Sequence, residues 1–338
     1  MSGHSACNRQ SKQSNKSKQL LITVQQFFSA SDAPDLHALV QEALVLKADP
    51  FAFQALGRGK TLGLLFMNPS LRTRISSQKA AWQLGMQTLV MNAGQDSWAI
   101  EFGDGAVMDG TTVEHVKDAA AVLAQYCDVL GLRSFAGLTD RAADDAETVL
   151  NSFCRYAGNV PFVSLESATL HPLQSLADLI TIAENRTEHR PKVVLTWAPH
   201  IKPLPQAVAN SFASFALAAG YDLTIAHPPG YELNPAFTAG AHITHDQRAA
   251  LEDADFVYVK NWSSWQDYGK ILNRDAAWML TPEHLKLTRQ AKVMHCLPVR
   301  RNVELSDAIL DGPNSVVYQQ AANRLWSAQV VLKKMLSN

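Results

Sequence analysis

Along most of the chain, short runs of Val, Leu and Ile alternate with longer segments of helical periodicity, and this ordering restricts the fold more than any other feature. Parallel strands need such an arrangement, because a crossover helix must carry the chain back before the next strand can run in the same direction. The expected class is therefore α/β. One set opens with a strand at 61–67 (TLGLLFM), turns through Asn68-Pro69-Ser70 into a helix over 71–84 that Gly85 stops, and adds strands at 89–91 and 129–132. A second set begins at Lys192, with a strand at 193–197, a helix at 205–219 ended by Gly220, and strands at 223–226, 256–259 and 293–297. Two doubly wound parallel-sheet domains linked by helices follow, with the helical pattern at 171–184 as the passage between them. At 338 residues and 47% hydrophobic content, each has enough chain to bury its own core. The last helical pattern, 321–336, sets Leu325, Ala328, Leu332 and Met335 on one face and is expected to pack onto a domain.

The charge balance excludes several classes of function. With 30 basic and 31 acidic residues the net charge is -1, so no global field favours nucleic acid or an anionic membrane, and any anion must be caught locally. The apolar runs fall short of the roughly 20 residues that span a bilayer. The four cysteines, Cys7, Cys127, Cys154 and Cys296, form no C-x-x-C pair, which argues against a zinc site or a disulfide framework and for a reducing compartment. A cytoplasmic location is expected. Residues 1–19 are polar, weakly basic and almost free of large apolar side chains, the composition of a disordered tail rather than of a secretory signal; an organelle transit peptide is the alternative, favoured by the absence of acidic residues and opposed by a single arginine and no amphipathic pattern. Neither G-x-G-x-x-G nor G-x-x-x-x-G-K-[ST] follows a predicted strand, so the usual dinucleotide and triphosphate cradles are missing.

Chemistry concentrates at the ends of the predicted strands. Ser70-Leu71-Arg72-Thr73-Arg74 lies where a strand gives way to a helix, so free N–H groups, two hydroxyls and the positive end of the helix dipole converge there. Arg72 adds a planar fork that binds phosphate oxygens in pairs. Alone, this pattern also describes an N-cap serine followed by surface arginines. Three further segments near strand ends, where ligands of open α/β sheets gather, favour an anion site: Gly131-Leu132-Arg133, His171-Pro172-Leu173-Gln174 and His295-Cys296-Leu297-Pro298.

In carrying S-x-R-T-R, a downstream arginine, H-P-x-Q and H-C-L-P in this order, the chain resembles the aspartate and ornithine carbamoyltransferase family over roughly residues 35–336. The resemblance implies a carbamoyl phosphate-binding domain, 20–172 with 320–338, and an acceptor domain, 173–319, joined by two helices. It implies that Ser70, Leu71, Arg72, Thr73, Arg74, Trp98 and Arg324 bind the donor. Arg324 is expected to open the last helix. Arg133 and His171 would hold the carbonyl oxygen, and Gln174 with the backbone at Cys296 and Leu297 the carbamoyl amino group. Arg72, Arg133, His171, Gln174 and Cys296 are thus the expected catalytic set. Attack by an amine on the carbamoyl carbon builds negative charge on its oxygen, which preorganised cations and donors stabilise. No nucleophilic side chain, metal or organic cofactor is required.

The acceptor expectation rests on the same resemblance. Family members using free ornithine carry S-M-G near the strand that ends here in Phe256-Val257-Tyr258-Val259, whereas this chain continues Lys260-Asn261-Trp262. Lys260, the run Thr196-Trp197-Ala198-Pro199-His200 and the loop Gln95-Asp96-Ser97-Trp98 are similar to the branch that uses N-acylated ornithine. The resemblance implies that Glu166, His200, Lys260 and Arg300 line the acceptor pocket, and that Trp98 reaches the donor site of a neighbouring subunit in a homotrimer. At the place of Val113 the branch carries glutamate in enzymes for the acetyl substrate and a non-acidic residue in those for the succinyl one, so the succinyl derivative is expected and the acetyl one is the alternative. A lysine of some acetyl enzymes corresponds to Glu304. A non-catalytic anion-binding paralogue is a further alternative, against which intact Arg133, His171 and Gln174 argue.

Overall fold

A computed structural model of the protein describes residues 24–94 and 99–337. The expected tail, 1–19, and Trp98 both lie outside the described residues. Two five-stranded sheets, all of whose pairings are parallel, form the centres of two α/β units. In chain order the strands are β1 (Gln26–Phe27), β2 (Thr61–Phe66), β3 (Gln87–Asn92), β4 (Ile100–Glu101), β5 (Glu114–His115), β6 (Val129–Arg133) and β7 (Phe162–Glu166). They continue with β8 (Lys192–Trp197), β9 (Asp222–Ala226), β10 (His242–Thr244), β11 (Phe256–Lys260) and β12 (Lys292–Met294). The first sheet runs β1-β7-β6-β2-β3 and the second β10-β9-β8-β11-β12, while β4 and β5 pair separately. The α/β class and the pair of parallel sheets match the expectation from the alternating pattern.

The longer helices are α1 (Leu36–Ala48), α2 (Leu71–Gln83), α3 (Val116–Tyr126), α4 (Thr148–Ala157), α5 (Pro172–Asn185), α6 (Ala207–Ala218) and α7 (Val317–Leu336). Helix α2 starts where Ser70 caps it, its hydroxyl accepting from the Thr73 N–H at 3.3 Å. It ends before Gly85, whose φ of 83° and close approach to the Gln54 carbonyl leave no room for a Cβ. Helix α5 is buried along nearly its whole length, from Pro172 to Ile182, because α6 and α7 pack against it. That double covering fits its apolar composition, in which only Asp178 carries charge before Glu184.

Helix α7 begins at Val317, four residues before the expected start. Arg324 therefore sits inside the helix rather than opening it. The polar residues Tyr318, Gln319 and Gln320 concealed the first turn, but Gln320 is fully buried and bonds inward, so its polarity marks a network and not an exposed loop. From the second unit α7 returns to pack on α1, α2 and α5. Lys47 bonds Glu184 at 2.5 Å and Asn323 at 3.0 Å, Lys333 and Lys334 both pair with Glu42, and Ser327 bonds the Leu173 carbonyl at 2.7 Å. Buried Ala328, Val331, Leu332 and Met335 supply the apolar contact.

Candidate active site

Strands β2, β6, β7, β8, β11 and β12 all end toward one cavity of about 240 Å³. Its walls include Ser70, Arg72, Arg133, Glu166, His171, Gln174, His200, Lys260, Cys296, Leu297 and Arg324. The crevice beyond the carboxyl ends of the strands is where open α/β sheets bind ligands, and here both sheets face the same one. Four cations, Arg72, Arg133, Arg324 and Lys260, face a single carboxylate, Glu166. The cavity is built for an anion.

Thr73 lies behind the wall, 1% exposed, and organises two of the arginines. Its hydroxyl receives Arg133 Nη1 at 3.0 Å and Arg324 Nη2 at 2.5 Å. Arg133 Nη1 also meets Glu166 Oε2 at 2.7 Å, and His171 Nε2 lies 3.4 Å from both Glu166 Oε2 and Arg324 Nη2. Burial lowers the Arg324 guanidinium to about 10, with Arg133 adding to the effect, so it stays cationic at neutral pH. Burial also draws the Arg133 guanidinium down and pushes the Glu166 carboxyl up, against the pull of Arg133, Arg324 and Lys260. His171 falls well below the usual histidine range, through burial first and then through Arg324 and Arg133, and is neutral near pH 7. Nε2 thus stands between a donor, Arg324, and an acceptor, Glu166, whereas Nδ1 is a buried atom with no partner among the described residues.

Other polar atoms of the walls are similarly buried and have no partner among the described residues: Nε of Arg72, Arg133 and Arg324, and Oε1 of Gln174. Unpaired buried groups are costly unless something else satisfies them, and their gathering at one cavity points to a polar ligand. The Gln174 amide is oriented by its own donor, because Nε2 bonds Asp178 Oδ1 at 2.8 Å and leaves the oxygen as acceptor. Asp178 takes a second 2.8 Å bond from Gln320 Nε2, and burial raises its carboxyl to about 7, with Gln320, Gln174 and Tyr258 pulling in the other direction.

Residues 295–297, expected to extend the last strand, lie outside it. Their N–H groups are diverted from the ladder: His295 N donates to Gln320 Oε1 at 2.8 Å and Leu297 N to His295 Nδ1 at 3.0 Å. Cys296 and Leu297 thereby line the cavity, and the Leu297–Pro298 bond is cis. Burial raises the Cys296 thiol, so it is not a thiolate at neutral pH. Glu304, opposite the chain's turn, receives the Arg300 N–H at 2.7 Å and faces His295 Nε2 at 3.5 Å. Burial opposes its ionisation, yet His295 and Lys260 hold its carboxyl down at about 2.

The remaining expected residues are placed differently. Arg300 is exposed and is not itself a wall of the cavity, but its Nε donates at 3.1 Å to Nε2 of His200, which is, leaving His200 Nδ1–H to donate to the Lys202 carbonyl at 2.8 Å. Leu71 and Arg74 are exposed and neither lines the cavity, so only the backbone N–H of Leu71 remains available to a ligand. Val113 is 66% exposed on the loop before β5 and also lies off the cavity. Sequence reasoning missed strand β7 altogether, although Phe162-Val163-Ser164-Leu165 is a short apolar run; Ser164, fully buried, interrupts it. It also missed Thr73's link to two arginines and the part of Asp178, for which an acid in an otherwise apolar helical face was the available signal.

Comparison with known proteins agrees with this geometry. Residues 25–184 match the model of the aspartate/ornithine carbamoyltransferase carbamoyl-P binding domain, and residues 205–335 that of the Asp/Orn binding domain. The N-succinylornithine carbamoyltransferase of Bacteroides thetaiotaomicron is 48% identical over 315 residues, 93% of this chain and 99% of that protein. The N-acetylornithine carbamoyltransferase of Xanthomonas axonopodis pv. citri is 34% identical over 94% of this chain and 98% of its own length. Among solved structures, N-acetyl-L-ornithine transcarbamylase complexed with acetylcitrulline aligns at a TM-score of 0.86 and 35% identity, covering 91% of this chain and 98% of that one. A mutant of that enzyme complexed with carbamyl phosphate and N-succinyl-L-norvaline aligns at 0.85 and 34%, with the same coverage. Two parallel sheets closing on one cationic cavity, and matches that span both, establish that the chain belongs to the aspartate/ornithine carbamoyltransferase family.

Proposed function

We propose that the protein transfers the carbamoyl group of carbamoyl phosphate to the side-chain amine of N-succinyl-L-ornithine, giving N-succinyl-L-citrulline and phosphate in arginine biosynthesis. The observation that carries this is the set of buried, unpaired donors around one cavity in which four cations meet one carboxylate. In this reading the phosphate sits at the N-terminus of α2, held by Ser70, Arg72, Thr73 and the free N–H groups of the first turn. The carbonyl oxygen faces Arg133 and neutral His171, and the carbamoyl amino group donates to Gln174 Oε1 and to the backbone at Cys296 and Leu297. As the amine attacks, negative charge grows on the carbonyl oxygen beside cations already in place, where electrostatic stabilisation is strongest. The carbon–oxygen bond to phosphate then breaks and the departing phosphate accepts the proton. Glu166, His200, Lys260 and Arg300 serve the acceptor. Arg74 is the weakest of the donor assignments, being exposed.

The donor part comprises 20–172 with 320–338 and the acceptor part 173–319, a division supported by the return of α7 to the first unit. The active form is a homotrimer in which Trp98 completes a neighbour's site. Exposed Leu71 and Ile75 on α2 and Leu89 on β3, apolar groups on the first unit, support an interface there. The enzyme works in the cytoplasm, where Cys127, Cys154 and Cys296 remain free thiols.

The succinyl preference rests on Val113. Being exposed, Val113 is available to meet an acyl tail through the assembly, and valine lacks the charge that a glutamate would set against the succinyl carboxylate. A carbamoyl phosphate assay with ornithine, N-acetylornithine and N-succinylornithine tests the reading. The wild type should prefer the succinyl substrate, and Val113→Glu should weaken its use while admitting the acetyl one. Preference of the wild type for N-acetylornithine would replace the acceptor assignment, and no turnover with any of the three would leave an anion-binding protein.

A further inference from the structure

At the outer edge of the second sheet, His227 follows β9, His245 follows β10, and Glu232 lies on the loop between those strands. Their side-chain ligand atoms all come within 4.8 Å of one another. None of the three lines the cavity described above. The two imidazoles are already set for coordination. His227 Nδ1 donates to the Pro228 carbonyl at 2.8 Å, and His245 Nδ1 donates to the His227 carbonyl at 2.9 Å. A ring nitrogen committed as donor in this way fixes the tautomer and leaves Nε2 as a bare lone pair, the outer-shell arrangement that metal-ligating histidines use.

The lone pair of His227 is the informative one. The residue is 1% exposed, packs beside the buried Trp262 ring, and its Nε2 has no partner among the described residues. A buried acceptor left empty costs stability unless a ligand fills it. Glu232 Oε1 stands 4.0 Å from His245 Nε2 and, among the described residues, otherwise receives only the Gly230 N–H, at 3.3 Å. From these three groups we propose that His227, Glu232 and His245 bind one divalent transition-metal ion, zinc by ligand chemistry, with water completing the coordination. Two imidazoles and a carboxylate suit zinc rather than calcium or magnesium, which prefer all-oxygen sets. A tetrahedral zinc with bonds of 2.0–2.1 Å brings ligand atoms to about 3.3 Å apart. The partly exposed side chains of Glu232 and His245 close that gap by rotation, while His227 stays fixed.

The ion acts as a clamp. Beside Glu232, the Tyr231 carbonyl accepts the Trp262 indole N–H at 2.8 Å, and the Tyr231 hydroxyl accepts the N–H groups of Leu272 and Asn273 at 2.7 and 2.9 Å. Fixing Glu232 to the strand ends therefore steadies the segment that follows Lys260.

The test uses full-length protein without a histidine tag, stripped with a chelator and titrated with zinc against a chromophoric competitor. One ion per chain should bind, and saturating zinc should raise Tm by roughly 3–6 °C. His245→Ala and Glu232→Gln, both at partly exposed positions, should keep the metal-free Tm and basal turnover while losing the zinc-induced rise. Cobalt substitution should give a visible d–d spectrum without a thiolate charge-transfer band, which excludes the cysteines as ligands. Absence of saturable zinc binding, or binding undiminished in His245→Ala, would overturn the assignment.

Discussion

On the side of the first sheet the cavity wall is made of buried groups locked to one another, with Thr73, Arg133, Glu166, His171 and Arg324 each between 1% and 8% exposed. On the second-sheet side, half-buried His200 lines the cavity and is held by exposed Arg300 and by the Lys202 backbone. The two regions are paid for differently in physical terms. Buried cations have lost their water and cannot reorganise, so they act fully on charge that appears only in the transition state. Exposed cations keep their hydration, are screened by salt, and contribute to holding a substrate more than to changing it. The contrast separates groups that should govern turnover from groups that should govern acceptor affinity.

The sharpest break of that contrast is Arg72→Ala. It removes a fork whose Nε is buried and unpaired at the head of α2, without taking apolar volume from the core. Turnover should fall by about 10²–10³-fold at saturating carbamoyl phosphate, as for loss of a positioned oxyanion donor. Thermal unfolding should remain cooperative. Near-normal turnover in the saturated variant would mean that the first-sheet wall does not govern the chemistry.

On the second-sheet side, Arg300→Ala should behave in the opposite way, raising KM for the acylated ornithine about tenfold and leaving kcat within a few-fold. The variant frees the His200 ring as well, since Arg300 Nε holds its Nε2. Steady-state kinetics with the acceptor varied would distinguish the two walls directly. A fall in kcat with unchanged KM would place Arg300 with the buried groups and erase the distinction.

How much of this could be seen beforehand follows the same division. The alternation of apolar runs and helical segments made both sheets legible, because strand burial on two faces leaves its mark in composition. S-x-R-T-R and H-P-x-Q were legible because their chemistry sits in contiguous residues. What escaped were contacts between distant positions that look ordinary locally. Ser164 interrupts β7, Gln320 hides the first turn of α7, and Thr73 bonds both Arg133, 60 residues on, and Arg324, 251 residues on. The H-C-L-P segment read as strand because nothing local reveals that Gln320 captures the His295 N–H. His227, Glu232 and His245 escaped for the same reason: no metal motif has their spacing, and only the pairing of β9 with β10 brings them together.

Asp178 joins the two walls, and its replacement should have the smallest effect on turnover. Through Oδ1 it holds Gln174 of the first wall and Gln320, whose other end fixes the His295 N–H of the second. Asparagine in its place keeps an acceptor oxygen for both amides, so kcat should change only several-fold. Stability should respond more. Burial raises this carboxyl from 3.8 to about 7, so in that range the folded protein binds more protons here than the unfolded chain does. The sign follows: the cost of burying the group is absent below about pH 4, grows as pH rises toward 7, and is complete above it. Full ionisation corresponds to about 4 kcal/mol as an upper figure, of which about 2–3 kcal/mol falls between pH 5 and pH 8. Asp178→Asn lacks this titration. In urea unfolding, the stability of the variant relative to wild type should therefore increase from pH 5 to pH 8. A constant difference across that range would show that Asp178 is already ionised in the folded protein at pH 5, so that burial does not raise its carboxyl.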